Sequence, residues 1–456
     1  MTSTRLLHLL HEWLPRQRWY ANKGRNPQLS DVGQWELTSA EAGVTMSIHL
    51  LAETSGDAPV LYQIPVTSRS EPLPGGDAAL IGTDGTTLHY DGPHDPAFVQ
   101  ALLALVLGTG SPVGAPDGLR GQALAAWGGW RLAGSRVLSG EQSNTSILVD
   151  AAAGEAMPVI CKIFRVLHHG ENPDVAVQCA LAGVGSERVP TPLGFLTGEW
   201  TDPGTGRLGQ GHAAFAQEFL PGVEDGWRMA LRAATTGEDF AASAGALGAA
   251  TASVHADLAR AFPTHSASVE SVAGMVDAMR ERFYLARHDV PSLDQFADAV
   301  ARILSAARAE PWPLLQRIHG DYHLGQVLWA PGRGWMIIDF EGEPLRPMDD
   351  RGHPDAPLRD VAGMLRSLSY AAGSVTLSRE PDSDGADTIT AWAQRGRESF
   401  LDGYADASGH DPRDQSALLT AFELDKALYE ARYEARNRPE WLPIPLQAVR
   451  RLCGAS

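Results

Sequence analysis

The residues best suited to chemistry lie in one short stretch, IHGDYHLGQVLWAPGRGWMIIDFEGEP, which spans residues 318–344. Asp321 follows a His-Gly pair that is typical of a turn, and Gln326 comes five residues later. Asp339 ends GWMIID, a run typical of a buried strand, and Glu341 follows closely. Carboxylate and amide oxygens are hard ligands that suit Mg²⁺. The stretch therefore supplies a candidate base and a candidate set of metal ligands.

Such a set suits phosphoryl transfer, because that chemistry depends mainly on positioning the reactants and neutralising phosphate charge. We interpret Asp321 as the catalytic base, which accepts the proton of an attacking hydroxyl. Gln326 and Asp339 are the candidate metal ligands, and Glu341 is a candidate for the surroundings of that metal or for a second one. The alternative is a pair of unrelated turn motifs. The order of these residues within about 20 positions favours the catalytic interpretation.

Candidate nucleotide-binding residues lie upstream. Lys162 lies in VICKIF, an apolar strand-like run, where a lysine is expected to contact phosphates. The alternative is an edge strand from which the lysine reaches solvent. The segment SGEQSNTS, residues 139–146, joins two strand-like runs. Backbone N–H groups near Gln142, Ser143 and Asn144 could cover the phosphates there, as a glycine-rich loop does.

Three segments must position these residues. Residues 1–95 begin with an amphipathic helical pattern over about residues 3–14 and continue with alternating runs such as VTMSIHLL and VLYQIPV, which predict a small β-rich domain. Residues 96–224 begin with a helical run, PAFVQALLALVLG, and continue with several strand-like runs typical of an antiparallel sheet. Residues 225–456 are dominated by apolar residues at helical spacing. Together they predict an α+β protein.

Composition limits the classes of partner. The 456 residues carry a formal net charge of −18, which argues against nucleic acid or an anionic membrane as the main partner. Three cysteines without metal-ligand spacing favour a reduced, cytoplasmic protein with neither a zinc site nor disulfides. Runs of 18 apolar residues are absent, so we expect no membrane span. We expect a monomer or a small homo-oligomer.

Seven blocks resemble the actinobacterial maltokinase family, which lies within the aminoglycoside-phosphotransferase and protein-kinase-like superfamily. They are LPRQRWYANKGR, GEQSNTS, KIFRVLHHGENPD, HGDYHLGQVLW, IDFEGEPLRP, PLRDVAGMLRS and LDKALYEARYEARNRPEWLPIPL, and they extend over nearly the whole chain. The resemblance implies a bilobal kinase-like fold with an N-terminal cap domain at 1–95. It also implies an ATP-binding N-lobe at 96–224, a helical C-lobe with the catalytic loop and the acceptor sugar site at 225–456, and ATP and Mg²⁺ as cofactors.

The resemblance also implies where adenine binds and which residue pairs with Lys162. It places the hinge between the lobes at QEFLPG, where backbone groups near Glu218 and Leu220 would meet adenine. In the family pattern, an acidic residue that can pair with the lysine follows Asn-Pro-Asp after one intervening position, and that place is occupied here by Ala176. Asp174 or Glu171 could pair with the lysine instead.

The acceptor site is expected in segment 423–441, ELDKALYEARYEARNRPEW, a helix that ends at Pro439. Carboxylates, an amide and an aromatic ring are what a hexose needs. The alternative is a solvated helix with surface ion pairs. The resemblance places this helix over the acceptor cleft and so favours sugar contact. The candidate sugar contacts are Glu423, Lys426, Glu430, Tyr433, Glu434, Asn437, Arg438, Glu440 and Trp441, together with His323 of the catalytic loop.

Glu430, Glu434 and Glu440 give this segment a surplus of negative charge over Lys426, and Arg432, Arg436 and Arg438 offset part of it from other faces of the helix. An acidic pocket favours a cationic acceptor. We therefore favour an ATP-dependent kinase that makes glucosamine 6-phosphate over one that makes maltose 1-phosphate. A pseudokinase that binds sugar or nucleotide is disfavoured by the intact Lys162 and Asp321. An aminoglycoside phosphotransferase is disfavoured by the additional N-terminal domain.

Overall fold

In the computed structural model of the protein, the described residues are 2–56, 58–108, 118–124, 132–138, 143–151, 157–343, 348, 351–378 and 383–454. The helices are α1 (Thr4–Trp13), α2 (Pro96–Val106), α3 (Pro173–Gly183), α4 (Gly226–Thr236), α5 (Ala241–Ala261), α6 (Val269–Asp289), α7 (Ala297–Ala309), α8 (Leu358–Leu377), α9 (Ser383–Ser408), α10 (Ser416–Asn437) and α11 (Pro443–Leu452). The strands are β1 (Leu29–Leu37), β2 (Val44–Glu53), β3 (Val60–Arg69), β4 (Leu80–Asp84), β5 (Thr87–Asp91), β6 (Leu119–Ala123), β7 (Leu132–Val137), β8 (Asn144–Ala151), β9 (Val159–Phe164), β10 (Pro192–Thr201), β11 (Leu208–Glu218), β12 (Glu224–Asp225), β13 (Val327–Ala330) and β14 (Gly334–Ile337).

The chain divides into two compact units. The first unit is Met1–Ala176 with Pro190–Pro221, and the second is Val177–Val189 with Gly222–Ser456. The first unit contains a five-stranded sheet of order β1-β2-β3-β5-β4 and a six-stranded sheet of order β6-β10-β11-β9-β8-β7. The second unit is mostly helical and contains the small sheet β12-β13-β14. The expected α+β fold is confirmed, whereas the division at 1–95, 96–224 and 225–456 stays a prediction.

The five-stranded sheet is covered on both faces because side chains alternate along a strand. Ile48 and Leu50 of β2 belong to the apolar cluster that contains α2. Leu51, the next residue, belongs to a different cluster, which contains Tyr62 of β3 and the apolar face of α1. The alternating runs in residues 1–95 therefore form strands as predicted, and the two faces of the sheet contribute to two different apolar clusters.

A buried cation joins the two sheets of the first unit. Arg165, directly after β9, is fully buried, and its Nη2 donates to Asp91 Oδ2 over 2.7 Å. Its guanidinium carbon lies 4.5 Å from the centre of the Trp19 ring, a cation–π contact. Gln63 Nε2 donates to the backbone carbonyls of Phe164 in β9 and Ala213 in β11. The aromatic pair Trp19 and Tyr20 is buried here, so QRWYANKGR contributes to packing.

The second unit is built around α8. Its buried residues include Val361, Ala362, Met364, Leu365 and Leu368, so apolar side chains surround the helix on most sides. This burial matters for the site, because the polar residues that α8 does carry are held in the interior. None of the described helices is both long enough and apolar enough to span a membrane.

Candidate functional site

The loop that contains Asp321, called the catalytic loop after its predicted role, is held by a buried carboxylate at the start of α8. Asp360 Oδ2 accepts the backbone N–H of His319 over 2.7 Å, and Oδ1 accepts that of Gly320 over 2.9 Å. Oδ2 also lies 3.1 Å from His255 Nε2. Burial opposes ionisation, but the bond to His255 and the charge around it lower the pKa of Asp360 below its ordinary value. Asp360 therefore fixes the backbone immediately before Asp321.

Asp321 is positioned by a lysine from α10. Lys426 Nζ donates to Asp321 Oδ1 over 2.8 Å, and His323 Nε2 lies 3.9 Å from Oδ2. Burial raises the pKa of Asp321, but the Lys426 ammonium outweighs it and the pKa lies below its usual range. Burial lowers the pKa of His323 to about 4, so the imidazole is neutral at pH 7. Asp321 is thus an ionised carboxylate with one oxygen held by an ammonium.

The β13–β14 hairpin brings the candidate metal ligands together. Val327, after Gln326, pairs with Ile337, and Gln326 Nε2 donates to Asp339 Oδ2 over 3.1 Å. Because the amide nitrogen faces Asp339, the amide oxygen of Gln326 is left for another partner. Carboxylate oxygens of Asp339 and Glu341 come within 4.8 Å of each other. Asp339 has a positive φ of 66°, a conformation that costs free energy outside glycine and is common at functional sites.

The candidate nucleotide contacts lie in the first unit. Lys162 is on β9, which has β8 and β11 on either side, so the edge-strand alternative is wrong. Its Nζ lies 3.0 Å from Asp174 Oδ2. Asp174 therefore pairs with the lysine in place of the acidic residue that the family pattern has where Ala176 stands here. Asn144 begins β8 with Ser143 before it, and Gln142 lies outside the described residues. Further along, Glu218 accepts hydrogen bonds from Thr191, and Leu220 is buried.

A cavity of about 560 Å³ in the second unit contains most of the candidate sugar contacts. That volume is typical of a small-molecule site. The predicted residues that line it are His323, Lys426, Glu430, Tyr433, Glu434 and Arg438. His323 and Lys426 lie beside Asp321 and also line the cavity, so the candidate base is close to the cavity wall.

The carboxylates of the cavity are already paired, which corrects the expectation of an unbalanced acidic segment. Glu434 is buried and accepts hydrogen bonds from Arg438 and from the Tyr370 hydroxyl. Glu430 Oε2 accepts from Arg366 over 2.5 Å, whereas no described residue donates to Glu430 Oε1. Glu430 therefore offers the cavity a free carboxylate oxygen, and Glu434 does not.

Four candidates take other positions. Glu423 is buried and bonds to Arg397, while Asn437 is exposed and donates to the Tyr433 carbonyl. Glu440 is exposed. Trp441 stacks on Tyr370, which lines the cavity, with ring centres 5.9 Å apart and planes at 20°. The structure thus brings Trp441 beside the cavity wall but not Asn437 or Glu440.

Sequence reasoning missed several lining residues, among them Asp225, Trp227, Tyr370 and Tyr429. Asp225 Oδ1 accepts the backbone N–H of Arg228 over 2.7 Å and caps α4. Its position before a helical run signals a cap and gives no hint of a cavity. Tyr370 lies in an apolar helix pattern, where an aromatic residue is ordinarily part of the core. Asp225, Trp227 and Tyr370 are distant in sequence from the catalytic loop and from segment 423–441, so no local pattern joins them. Tyr429 lies within that segment, three residues after Lys426, and helical spacing could have found it.

Two family models match parts of the chain. Residues 13–95 match the family model of the maltokinase N-terminal cap domain. Residues 135–419, more than half of the chain, match the model of the phosphotransferase enzyme family. The chain belongs to the phosphotransferase enzyme family. The expected cap domain and the expected superfamily are both confirmed.

Two relatives of this phosphotransferase are glucosamine kinases. The protein from Streptacidiphilus jiangxiensis is 32% identical over 330 residues, which are 68% of this chain and 72% of the relative. The protein from Mycolicibacterium smegmatis is 29% identical over 349 residues, 72% of this chain and 81% of the relative. A solved glucosamine kinase in complex with glucosamine, ADP and inorganic phosphate has the same fold, with a TM-score of 0.67, 23% identity and coverage of 97% of this chain and 98% of that chain.

Proposed function

We propose that this phosphotransferase moves the γ-phosphate of ATP to a hydroxyl of glucosamine, with Mg²⁺ as the accompanying ion. The observation that carries the proposal is that Asp321 is joined to Lys426, and Lys426 lines a cavity that presents a free carboxylate oxygen of Glu430. Two relatives named as glucosamine kinases support the choice of acceptor.

Asp321 orients the attacking hydroxyl and accepts its proton. Its lowered pKa keeps it ionised at neutral pH, and phosphoryl transfer needs little more from the base than correct placement. Lys426 holds one carboxylate oxygen, so the other remains for the acceptor. Asp360 fixes the loop backbone through His319 and Gly320, which limits the movement of Asp321 relative to the cavity.

The oxygen donors of Gln326, Asp339 and Glu341 fit Mg²⁺, which prefers hard ligands. When bound, the ion would supply positive charge to the phosphates. In the first unit, Lys162 pairs with Asp174 and so has the fixed position that a phosphate contact requires. The roles of Ser143, Asn144, Glu218 and Leu220 in nucleotide binding, and of Gln142, remain predictions.

The amine of glucosamine is assigned to Glu430. Its Oε1 is available, whereas both oxygens of Glu434 are engaged by Arg438 and one also by Tyr370. The Tyr370–Trp441 stack offers an aromatic surface beside the same cavity. A charged hydrogen bond from the ammonium to Glu430 distinguishes glucosamine from neutral sugars such as glucose and maltose.

The test is an ATP-consumption screen with glucosamine, glucose and maltose, followed by NMR of the product. The charge-assisted bond contributes roughly 1.5 to 3 kcal/mol, so Glu430→Gln should raise KM for glucosamine about 10- to 150-fold and leave KM for ATP unchanged. Glu440→Gln removes the same charge from an exposed residue and is the matched control. A preference of the wild type for maltose in kcat/KM, or an equal loss for glucosamine and glucose in Glu430→Gln, would overturn the assignment.

A further inference from the structure

Three arginines line another cavity of the second unit, here called the second cavity. It has a volume of about 340 Å³ and lies between α8, α9 and α11. Arg366, Arg397 and Arg451 line it, and Ile389 and Ile444 supply apolar wall. None of these residues lines the acceptor cavity. Guanidinium groups with apolar surface beside them are suited to a small organic molecule that carries an oxyanion.

The charges around this cavity do not balance. Glu423 is 4% exposed and accepts from Arg397 over 2.9 Å and from Arg451 over 3.2 Å. Glu430 accepts from Arg366. Among the residues whose side chains the structure describes, three guanidinium groups therefore face two carboxylates. Burial lowers the pKa of Arg451, and repulsion from Arg397 and Arg366 adds to that effect, although Glu423 opposes it. The surplus positive charge is notable in a chain whose net charge is −18.

Arg366 also has an unused hydrogen-bond donor. The residue is 2% exposed, and its Nη2 donates to Glu430 Oε2. Its Nε is buried and has no acceptor among the described residues. A buried donor without an acceptor costs free energy, so the protein satisfies only part of the hydrogen-bonding capacity of this guanidinium group. Ser369, Thr390 and Gln447 add neutral polar groups to the same wall.

We propose that this cavity binds a small organic oxyanion, either a carboxylate or a phosphate ester, through Arg366, Arg397 and Arg451. Arg366 is the only one of the three that also bonds to a lining residue of the acceptor cavity. An anion that accepts from Arg366 competes with Glu430 for its charge. Glu430 then interacts more strongly with a cationic acceptor, so the anion lowers KM for glucosamine. The predicted effect of the anion on KM for glucosamine rests on the proposed function.

Binding is tested by calorimetry on the full chain without nucleotide or sugar, so the result does not depend on turnover. The titrants are inorganic phosphate, glucose 6-phosphate and citrate, each at constant ionic strength set with chloride. Arg451→Gln removes a half-exposed guanidinium from the wall and should weaken binding by about 10-fold or more, the loss of one charge-assisted bond. Arg450→Gln makes the same change one residue earlier on α11, at an exposed side chain that does not line the cavity, and should bind as the wild type does.

The titrants distinguish the two chemical classes of oxyanion, carboxylate and phosphate ester. Binding of citrate alone assigns a carboxylate, and binding of glucose 6-phosphate assigns a phosphate ester. No heat with any titrant at about 10 mM, or equal binding by both variants, would overturn the site, since phosphate bound elsewhere is insensitive to Arg451. Thermal melts without anion show that each variant is folded. An unchanged KM for glucosamine at saturating anion would refute the coupling alone, and absence of glucosamine turnover would refute the proposed function alone.

Discussion

Asp360 offers the sharpest test of how the catalytic loop is held. Asp360→Asn keeps the shape of the side chain but replaces one oxygen by an amide N–H₂ group. Asp360 accepts three hydrogen bonds, from His319, Gly320 and His255, and the single oxygen of asparagine cannot accept all three. One charge-assisted bond is lost at roughly 1.5 to 3 kcal/mol, and two others become neutral and lose about half their strength. The expected destabilisation is about 3 to 6 kcal/mol.

The same change should reduce turnover, because the backbone that Asp360 holds lies next to Asp321. Misplacement of a reacting group by about 1 Å can cost about 10²-fold in rate. We therefore expect kcat to fall by about 10-fold to 10²-fold while KM for ATP changes little. Urea unfolding at pH 7 measures the loss of stability, and steady-state kinetics on the folded fraction measure the loss of turnover.

The dependence on pH gives an independent check. The folded-state pKa of Asp360 is lowered, so its contribution to stability is present above the ordinary carboxyl pKa of about 4 and is lost as pH falls through the folded-state value. The difference in stability between wild type and Asp360→Asn should therefore be constant from pH 7 to about pH 5 and shrink in more acidic solution.

Asp298→Asn is the matched control, since Asp298 lies in the first turn of α7 and is exposed. It should change stability by less than about 1 kcal/mol. If Asp360→Asn is equally mild, or if its effect on stability grows toward acid pH, the carboxylate does not hold the loop as described.

Asp321→Asn should lower kcat by about 10²-fold or more with little change in KM for ATP, because it removes the base and keeps its shape. The lowered pKa of Asp321 also places the acid limb of the wild-type kcat profile below about pH 4, and a limb near pH 6 would contradict the role. Asp339→Ala should abolish turnover and also abolish Mg²⁺ binding measured by calorimetry in the presence of ADP. Full activity in EDTA would remove the metal from the proposal.

The sequence alone was sufficient to bring Gln326 and Asp339 together, since they flank one hairpin and their proximity follows from local chain geometry. The roles of Asp321, Gln326 and Asp339 in catalysis and metal binding stay predictions. The strands of residues 1–95 were predictable for a similar reason, because alternation along a strand depends only on neighbouring residues. The family resemblance supplied the expectation of a cap domain and a kinase-like fold, and both are confirmed.

Tertiary structure decided which charges meet. Lys162 pairs with Asp174, and Glu430 pairs with Arg366 on another helix, across 64 residues of sequence. Glu423 lies on the same helix as Glu430, yet it bonds to Arg397, a residue that lines the second cavity and not the acceptor cavity. Helical periodicity shows that such residues lie on one helix, but the partner and the burial of each carboxylate depend on which helices pack against it. The charge available to a ligand is therefore a property of the packed fold, which composition and spacing do not determine.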